Sequence, residues 1–318
     1  MKQLDGYDVI GDIHGQAGPL EALLHKLGYR ERWGIWRYPG QRRQAIFVGD
    51  YIDRNPKARG VIDIVKRMTD NDEALAVMGN HEFNAVAYHT EDPEHPGEYL
   101  RPQSEKNRKQ HSAFLKEMEG NEAAHDAAID WFRMLPLWLD LGELRVIHAS
   151  WVPCYQAVIA RESDPDEKLS EAGWVEASRN GTAEFNAVEC LLKGMEVRMP
   201  EGAHYRDSYG TERKKARLRW WLPEAPPLLH DAVLGAPAML AQVQGVPWSG
   251  EWPEDAGYAA ESPPVFIGHY WLDGEPEPLA DNVVCVDYSA AKPGKKLVAY
   301  RWDGEPVLSR RNFVSVST

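Results

Sequence analysis

Cysteine is scarce in this chain of 318 residues: it holds three, Cys154, Cys190 and Cys285. An odd number without close spacing excludes a disulfide framework and a cysteine-based zinc site, so reduced, mostly buried thiols are expected. Basic charge is also in short supply, with 36 Lys and Arg against 49 Asp and Glu and a net charge of −13. Nucleic-acid binding draws most of its affinity from cationic side chains that displace counterions, so an RNA or DNA partner is disfavoured. Long hydrophobic runs are missing. Neither the opening segment MKQLDGYDVIGDIHG nor any later stretch has the apolar length of a signal sequence or a bilayer span. The expectation is a soluble cytoplasmic protein with no membrane partner. Internal repeats and low-complexity tracts are absent as well.

What the chain does have is enough apolar content, 43%, to bury a full core, arranged as one large domain or as a core with a substantial insertion. Short apolar runs end on polar residues: residues 7–11 on Asp12, 45–49 on Asp50, 74–79 on Asn80. The pattern returns at 144–147 before His148, 265–268 before His269 and 283–286 before Asp287. These read as strands, and in layered α/β folds ligands bind at the carboxyl ends of strands. One shared site built from distant parts of the chain is therefore expected.

Leu20, Leu23, Leu24 and Leu27 have the spacing of a buried helix face ending near Gly28, and Val61, Ile64, Val65 and Met68 repeat it with Pro56 in the first turn. Residues 137–147 read as a hairpin turning at Leu141-Gly142-Glu143, and 297–302 as a late strand. The later half is thus expected to be richer in strand and partly antiparallel. Residues 89–112, rich in Pro, Glu and His, read as a mobile loop before a helical stretch reaching about Trp131. Residues 150–262 separate two of the polar-ended strands and form the candidate insertion, with a helix face at Phe185, Val188, Leu191 and Leu192 ended by Gly194. The domain reading is a core of 1–149 and 263–318 carrying a cap or pocket segment at 150–262.

Three compact motifs carry the chemistry: Gly11-Asp12-Ile13-His14-Gly15, Gly49-Asp50-Tyr51-Ile52-Asp53-Arg54 and Gly79-Asn80-His81-Glu82. Carboxylate, imidazole and amide oxygen suit Mn²⁺, Fe²⁺, Zn²⁺ or Mg²⁺, and strand ends hold such ligands rigidly. One GDIHG alone is more often a turn and a satisfied polar pair. Three motifs, each after its own strand, point to a metal centre. His25, His89, His95, His111, His125, His204 and His230 lack that context and read as surface or packing residues.

These motifs resemble the calcineurin-like metallophosphoesterase superfamily, and GDYIDR followed by GNHE resembles its phosphoprotein phosphatase branch, which includes bacterial protein phosphatases and symmetrical dinucleoside polyphosphate hydrolases. The resemblance implies an α/β fold, a β-sandwich flanked by helices, with two metals at one edge. It implies that Asp12 and His14 hold the first metal, that Asp50 bridges both, and that Asn80, His148 and His269 hold the second. His81 would stand beside the leaving group with Asp53 behind its ring, and Arg54 against the phosphate. Two cations about 3.5–4 Å apart make a shared water nucleophilic near neutral pH, a guanidinium binds two phosphoryl oxygens in parallel, and a charged imidazole protonates a departing alkoxide.

The chain departs from the branch at Ala149-Ser150, where Gly-Gly is common, at Asn55, where glycine is common, and at Tyr270-Trp271, which replaces a second histidine found in other branches. A second phosphate-binding arginine is implied by the resemblance. Arg206, Arg217 and Arg219 are the candidates, Arg219 preferred because its tryptophan neighbours, Trp220 and Trp221, would fix its stem. The expected activity is hydrolysis of a phosphomonoester on a small molecule, nucleotide or phosphoprotein by an in-line attack of metal-bridging hydroxide, with manganese the first choice of metal. Symmetrical dinucleoside polyphosphate hydrolysis is the close alternative, and a catalytically silent metal-binding scaffold the alternative of a different class.

Overall fold

The computed structural model describes residues 4–163, 168–199, 204–206, 212–235 and 237–318. In chain order β1 (Gly6–Ile10) leads to α1 (Ala17–Leu27), a hairpin of β2 (Arg30–Arg32) and β3 (Ile35–Arg37), β4 (Arg43–Phe47), α2 (Ala58–Thr69) and β5 (Ala74–Ala76). Helices α3 (Asn80–His89), α4 (Glu105–Gln110), α5 (Ser112–Met118) and α6 (Glu122–Arg133) follow, then β6 (Trp138–Asp140) and β7 (Arg145–Ile147). Residues 150–262 hold α7 (Pro153–Ala160), α8 (Glu171–Ser178), α9 (Ala183–Lys193), β8 (Glu196–Arg198), β9 (Tyr205–Arg206) and β10 (Glu212–Arg213). They continue through β11 (Lys215–Leu218), α10 (Leu229–Ala232), β12 (Val233–Leu234) and α11 (Pro237–Gln242). The chain ends on β13 (Val265–Ile267), β14 (Val283–Cys285), β15 (Lys296–Trp302) and β16 (Phe313–Ser317).

Two mixed sheets form the centre. One runs β16-β15-β1-β4-β5, the other β14-β13-β7-β6. Within the first, β1, β4 and β5 are parallel while β15 runs antiparallel to β1 and β16. Strand alternation explains how the sheets stack. Val9 and Ile46 share one apolar cluster with Val146, Phe266 and Val284 of the second sheet, filling the space between the sheets. Their neighbours Ile10, Ala45, Phe47, Ile267 and Cys285 point the other way, into the cluster that takes in the buried faces of α1 and α2. The result is a β-sandwich flanked by helices. Every polar-ended run read from the sequence is a strand here.

The helix periods also hold, with Leu20, Leu23, Leu24 and Leu27 buried on α1, and Gly28 closing it in the left-handed conformation. Two details differ from expectation. Helix α2 starts at Ala58 after an N-cap at Lys57, so Pro56 lies outside its first turn. The segment 89–112 is not all loop: Ser104 caps α4 by accepting the Asn107 N–H, and the helix runs to Gln110. Its polar composition hid a helix whose side chains face the cleft described below.

Residues 150–262 leave the second sheet after β7 and return to it at β13, which pairs in parallel with β7 through Val265↔Arg145 and Phe266↔Val146. The segment is tied down immediately behind His148. The Trp220 indole and the Tyr270 hydroxyl both donate to the Ala149 carbonyl, at 3.2 and 3.0 Å, and the Ser150 hydroxyl donates to the Cys190 carbonyl at 2.6 Å. Ala149 and Ser150 therefore anchor this segment to the strand end.

Candidate metal centre and cleft

The loops after β1, β4, β5, β7 and β13 converge. Their geometry is made by backbone that side chains rarely adopt: φ is 47° at His14, 55° at Asp50, 65° at Asp53, 66° at Arg54 and 72° at His269. Left-handed non-glycine residues gather where a function holds them there. Glycine permits the close approach. A Cβ on Gly79 would strike the backbone nitrogen and carboxylate of Asp50, and one on Gly268 would strike the Asp12 carboxylate.

Glu82 locks two motifs together. Its carboxylate, buried on the first turn of α3, accepts N–H groups from Asp50 (2.8 Å), Tyr51 (2.9 Å), Ile52 (3.3 Å) and Gly79 (3.1 Å). Asp12 receives the His269 N–H at 3.1–3.2 Å. Asp287 takes the N–H groups of Trp271 (2.6 Å) and Ser289 (2.9 Å), so it braces the loop carrying His269. Asn55 does similar work, its amide donating to the carbonyls of His14 and Ala291 at 3.1 Å each.

Asp50 is the hub. Its Oδ2 lies 3.6 Å from His14 Nε2 and 3.9 Å from His81 Nε2, and its Oδ1 lies 3.4 Å from His148 Nε2. The ligand atoms of His14, Asp50 and His81 fall within 4.8 Å of one another, as do those of Asp50, His148 and His269. Asn80 Oδ1 stands between the two histidines of the second group, 3.3 Å from His148 Nε2 and 2.8 Å from His269 Nδ1. The Nδ1 atoms of His14 and His148 are engaged by the carbonyls of Ile52 (3.0 Å) and Val48 (2.7 Å), which aims each Nε2 at Asp50.

The electrostatics fit a site for divalent metal. Burial, with Asp287 and Asp50 close by, pushes the Asp12 carboxyl well above the usual carboxylate range. Burial and the Asp50 charge push Glu82 up to about 7, and Asp287 rises to about 6 chiefly by burial. Asp50 goes the other way: burial opposes its charge, but the imidazoles of His148, His81 and His14 hold it well below the ordinary value. Burial lowers His14 to about 4 and His269 well below its usual value, so both rings are neutral, the form that binds a metal. Their Nε2 atoms are buried without a hydrogen-bond partner among the described residues. Crowded carboxylates beside orphaned, neutral imidazole nitrogens are the donor set of a metal centre.

Beside this centre opens a cleft of about 440 Å³. Asp50, Asn80, His81 and His269 line it together with Asp53, Arg54 and Trp271. The His81 Nδ1 is 2.6 Å from Asp53 Oδ2. The Arg54 guanidinium carbon sits 5.4 Å from the centre of the Trp271 ring, a cation–π contact between two residues that line the cleft. Trp271 also tilts against His14, with 5.5 Å between ring centres.

The residues named from the sequence as metal ligands, together with His81, Asp53 and Arg54, are brought together here, but Arg219 is not. Its Nε donates to the Val233 carbonyl at 3.1 Å, and it does not line the cleft. Arg206 is likewise absent from the lining, whereas Arg217 is part of it. The Arg217 guanidinium is held by an Nε donation to the Lys193 carbonyl at 3.1 Å and lies 6.0 Å from the Tyr270 ring centre. Sequence reasoning missed Arg101; it read His111 as a surface or packing residue and Trp271 only as a departure from the branch pattern, whereas all three border the cleft. Arg101 lines the cleft with its guanidinium held by the amide oxygens of Asn84 (2.7 Å), Asn107 (3.1 Å) and Gln110 (3.0 Å). The unusual Tyr270-Trp271 pair after His269 was the one sequence signal at Trp271.

The sandwich and its histidine- and aspartate-lined edge define a metallophosphoesterase. The chain belongs to the calcineurin-like phosphoesterase family, whose pattern it matches over residues 7–186. Among curated proteins it is similar to the bis(5'-nucleosyl)-tetraphosphatase PrpE (asymmetrical) of Oceanobacillus iheyensis, 42% identical over 74 residues, which is 23% of this chain and 29% of that one. The same enzyme of Geobacillus thermodenitrificans is 46% identical over 74 residues, 23% of this chain and 30% of the relative. The matches thus span under a third of these relatives' length. Among solved structures, a protein serine/threonine phosphatase from Saccharomyces cerevisiae with similarity to human PP5 shares the fold at 14% identity. It has a TM-score of 0.51, covering 98% of this chain and 78% of that one.

Proposed function

We propose that the chain hydrolyses phosphate esters with two divalent cations, manganese foremost, held by Asp12, His14 and Asp50 on one side and by Asp50, Asn80, His148 and His269 on the other. The observation that carries this is the meeting at Asp50 of two groups of ligand atoms, His14-Asp50-His81 and Asp50-His148-His269, each within 4.8 Å, beside the cleft. Asp12 joins the first through its contact with the His269 N–H and its closeness to Asp50. Bound cations supply Lewis acidity at the phosphoryl group and make water nucleophilic near neutral pH. The chain's own residues supply the rest. Arg54, steadied on Trp271, pairs with phosphoryl oxygens. As water forms its bond to phosphorus and the ester P–O bond breaks, His81 gives its Nε2 proton to the departing oxygen. Asp53 at Nδ1 keeps that ring charged and aimed: burial opposes the imidazolium, yet Asp50 and Asp53 raise the His81 pKa above its ordinary value.

Residues 150–262 act in this reading as the cap that completes the cleft, since Lys193, Arg213 and Arg217 come from it. The core is then 1–149 with 263–318. A phosphoanhydride such as a dinucleoside polyphosphate is the second reading of the substrate. It is favoured by the cationic lining beyond Arg54, where Arg101, Lys106, Lys193, Arg213 and Arg217 outnumber what one phosphate needs. A cytoplasmic setting is supported by three free cysteines and by the lack, among the described residues, of any helix long and apolar enough to cross a membrane. The test is metal analysis of the purified chain, followed by phosphate release from an aryl phosphate, phosphopeptides, nucleotides and dinucleoside polyphosphates with added Mn²⁺. Bound metal without turnover of any of them would leave only the silent scaffold.

A further inference from the structure

Asp53 is held from two sides. Its Oδ2 meets His81 Nδ1 at 2.6 Å, and its Oδ1 meets His111 Nδ1 at 2.9 Å. His111 comes from the junction of α4 and α5, 58 residues away in sequence. It is only 5% exposed, and Asp53 3%. An ionised carboxylate accepts and cannot donate, so both imidazoles present Nδ1–H to it. The plane of His111 is set by stacking on Phe114, with 5.0 Å between ring centres and 29° between planes, and by the edge contact with Tyr88 at 5.5 Å. Its backbone is pinned by the Asn107 carbonyl at 3.1 Å. Its Nε2 is buried with no hydrogen-bond partner among the described residues, where Asp53 is the partner of this ring.

Asp53 needs such a hold. It stands in the left-handed region at φ 65°, followed by Arg54 at 66°. One oxygen bound to one imidazole leaves a carboxylate free to swing about its side-chain torsions. A second donor on the opposite oxygen removes that freedom, fixing the direction in which Oδ2 receives the His81 ring and hence the direction in which His81 Nε2 faces the cleft.

We propose that His111, whose ring also borders the cleft, is a positioning residue for proton transfer by His81, acting through Asp53. The proposal rests on the phosphoesterase reading above for its kinetic consequence. Its geometric part stands without it.

The test uses three substitutions in the full chain. His111→Asn places an amide N–H where Nδ1–H was, His111→Gln places one near the Nε2 position, and His111→Phe keeps the ring and its stacking but has no donor. With an alkyl phosphate, whose oxygen leaves poorly, kcat should fall about 10–100-fold in the Phe and Gln variants, the usual loss when an orienting partner is removed. Michaelis constants, metal content and melting temperature should stay near those of the parent. The loss should shrink on an activated aryl phosphate, and the Asn variant should recover most of the rate. Equal rates for parent and Phe variant on the alkyl ester overturn the proposal. So does a loss of the same size on both esters that Asn does not rescue, since that is the mark of a merely structural residue.

A second arm needs no turnover: ¹⁵N-histidine spectra of the metal-free chain. The downfield His81 Nδ1–H signal, assigned by its loss in His81→Ala, should move or broaden in His111→Phe and persist in His111→Asn. An unchanged His81 signal in the Phe variant overturns the positioning role, while absence of hydrolysis by the parent chain overturns only the activity.

Discussion

His81 Nδ1 lies 2.6 Å from Asp53 Oδ2 while the Nε2 of the same ring faces Asp50 Oδ2 at 3.9 Å. The ring therefore has one nitrogen fixed by a carboxylate and the other open to the cleft and close to the metal donors. Its nitrogen also falls within the ligand distance of His14 and Asp50, so acid and ligand are both geometrically open roles. His81→Ala should separate them. Metal content should be almost unchanged, and hydrolysis of esters with poor leaving groups should fall about 10²–10⁴-fold, with a smaller loss on activated esters. Loss of a full equivalent of metal in elemental analysis would make His81 a ligand.

Asp50 touches three imidazoles and, among the described residues, is the side chain shared by both ligand groups. Asp50→Asn should lower metal content at both positions and nearly abolish hydrolysis. The far-ultraviolet circular dichroism should be retained, because Glu82 holds the backbone of this loop through its N–H groups. Two metals still bound tightly with full turnover would show that Asp50 does not bridge.

Arg217 faces the cleft and Arg219 does not. Arg217→Ala should raise the Michaelis constant for substrates carrying more than one phosphate by about tenfold, the worth of a charged hydrogen bond, without changing metal content. Arg219→Ala should leave that constant where it was. Identical kinetics for the two variants would remove Arg217 from the substrate's path.

His89 gives a prediction about acid stability. Its Nδ1 donates to the Ala85 carbonyl at 2.9 Å and its Nε2 lies 3.0 Å from His125 Nε2. Burial, with His125 and His111 nearby, lowers its pKa to about 4, against about 6.5 in an unfolded chain. Between those values the unfolded state binds a proton that the folded state refuses, so this contribution to stability is whole above about pH 6.5 and is lost as pH falls toward about 4. Urea unfolding of the metal-free protein across that window should show stability declining with acid, and His89→Asn should flatten the decline. Parallel slopes in parent and variant would rule His89 out as the cause.

Much of this protein follows from local sequence. Strand alternation decides which residues face the neighbouring sheet and which face helices, and a run such as residues 7–11 carries that signal within itself, as does the leucine period of α1. That Asp12, His14, Asp50, Asn80, His148 and His269 meet at one edge was legible for the same reason: each lies at or just beyond the end of an apolar strand, and parallel strands deliver their carboxyl ends to one edge. Other parts had no local signal. Period-2 spacing would put Arg217 and Arg219 on one face, but β11 ends at Leu218, so the turn that follows carries Arg219 away to Val233. Arg101 and His111 sit in a polar stretch with no periodicity, and only the folding of α4 across the cleft brings one beside the substrate space and the other to Asp53. Ligand type and strand end are properties of neighbouring residues, whereas a contact across 58 residues depends on how helices pack on a finished sandwich, which spacing along the chain does not encode.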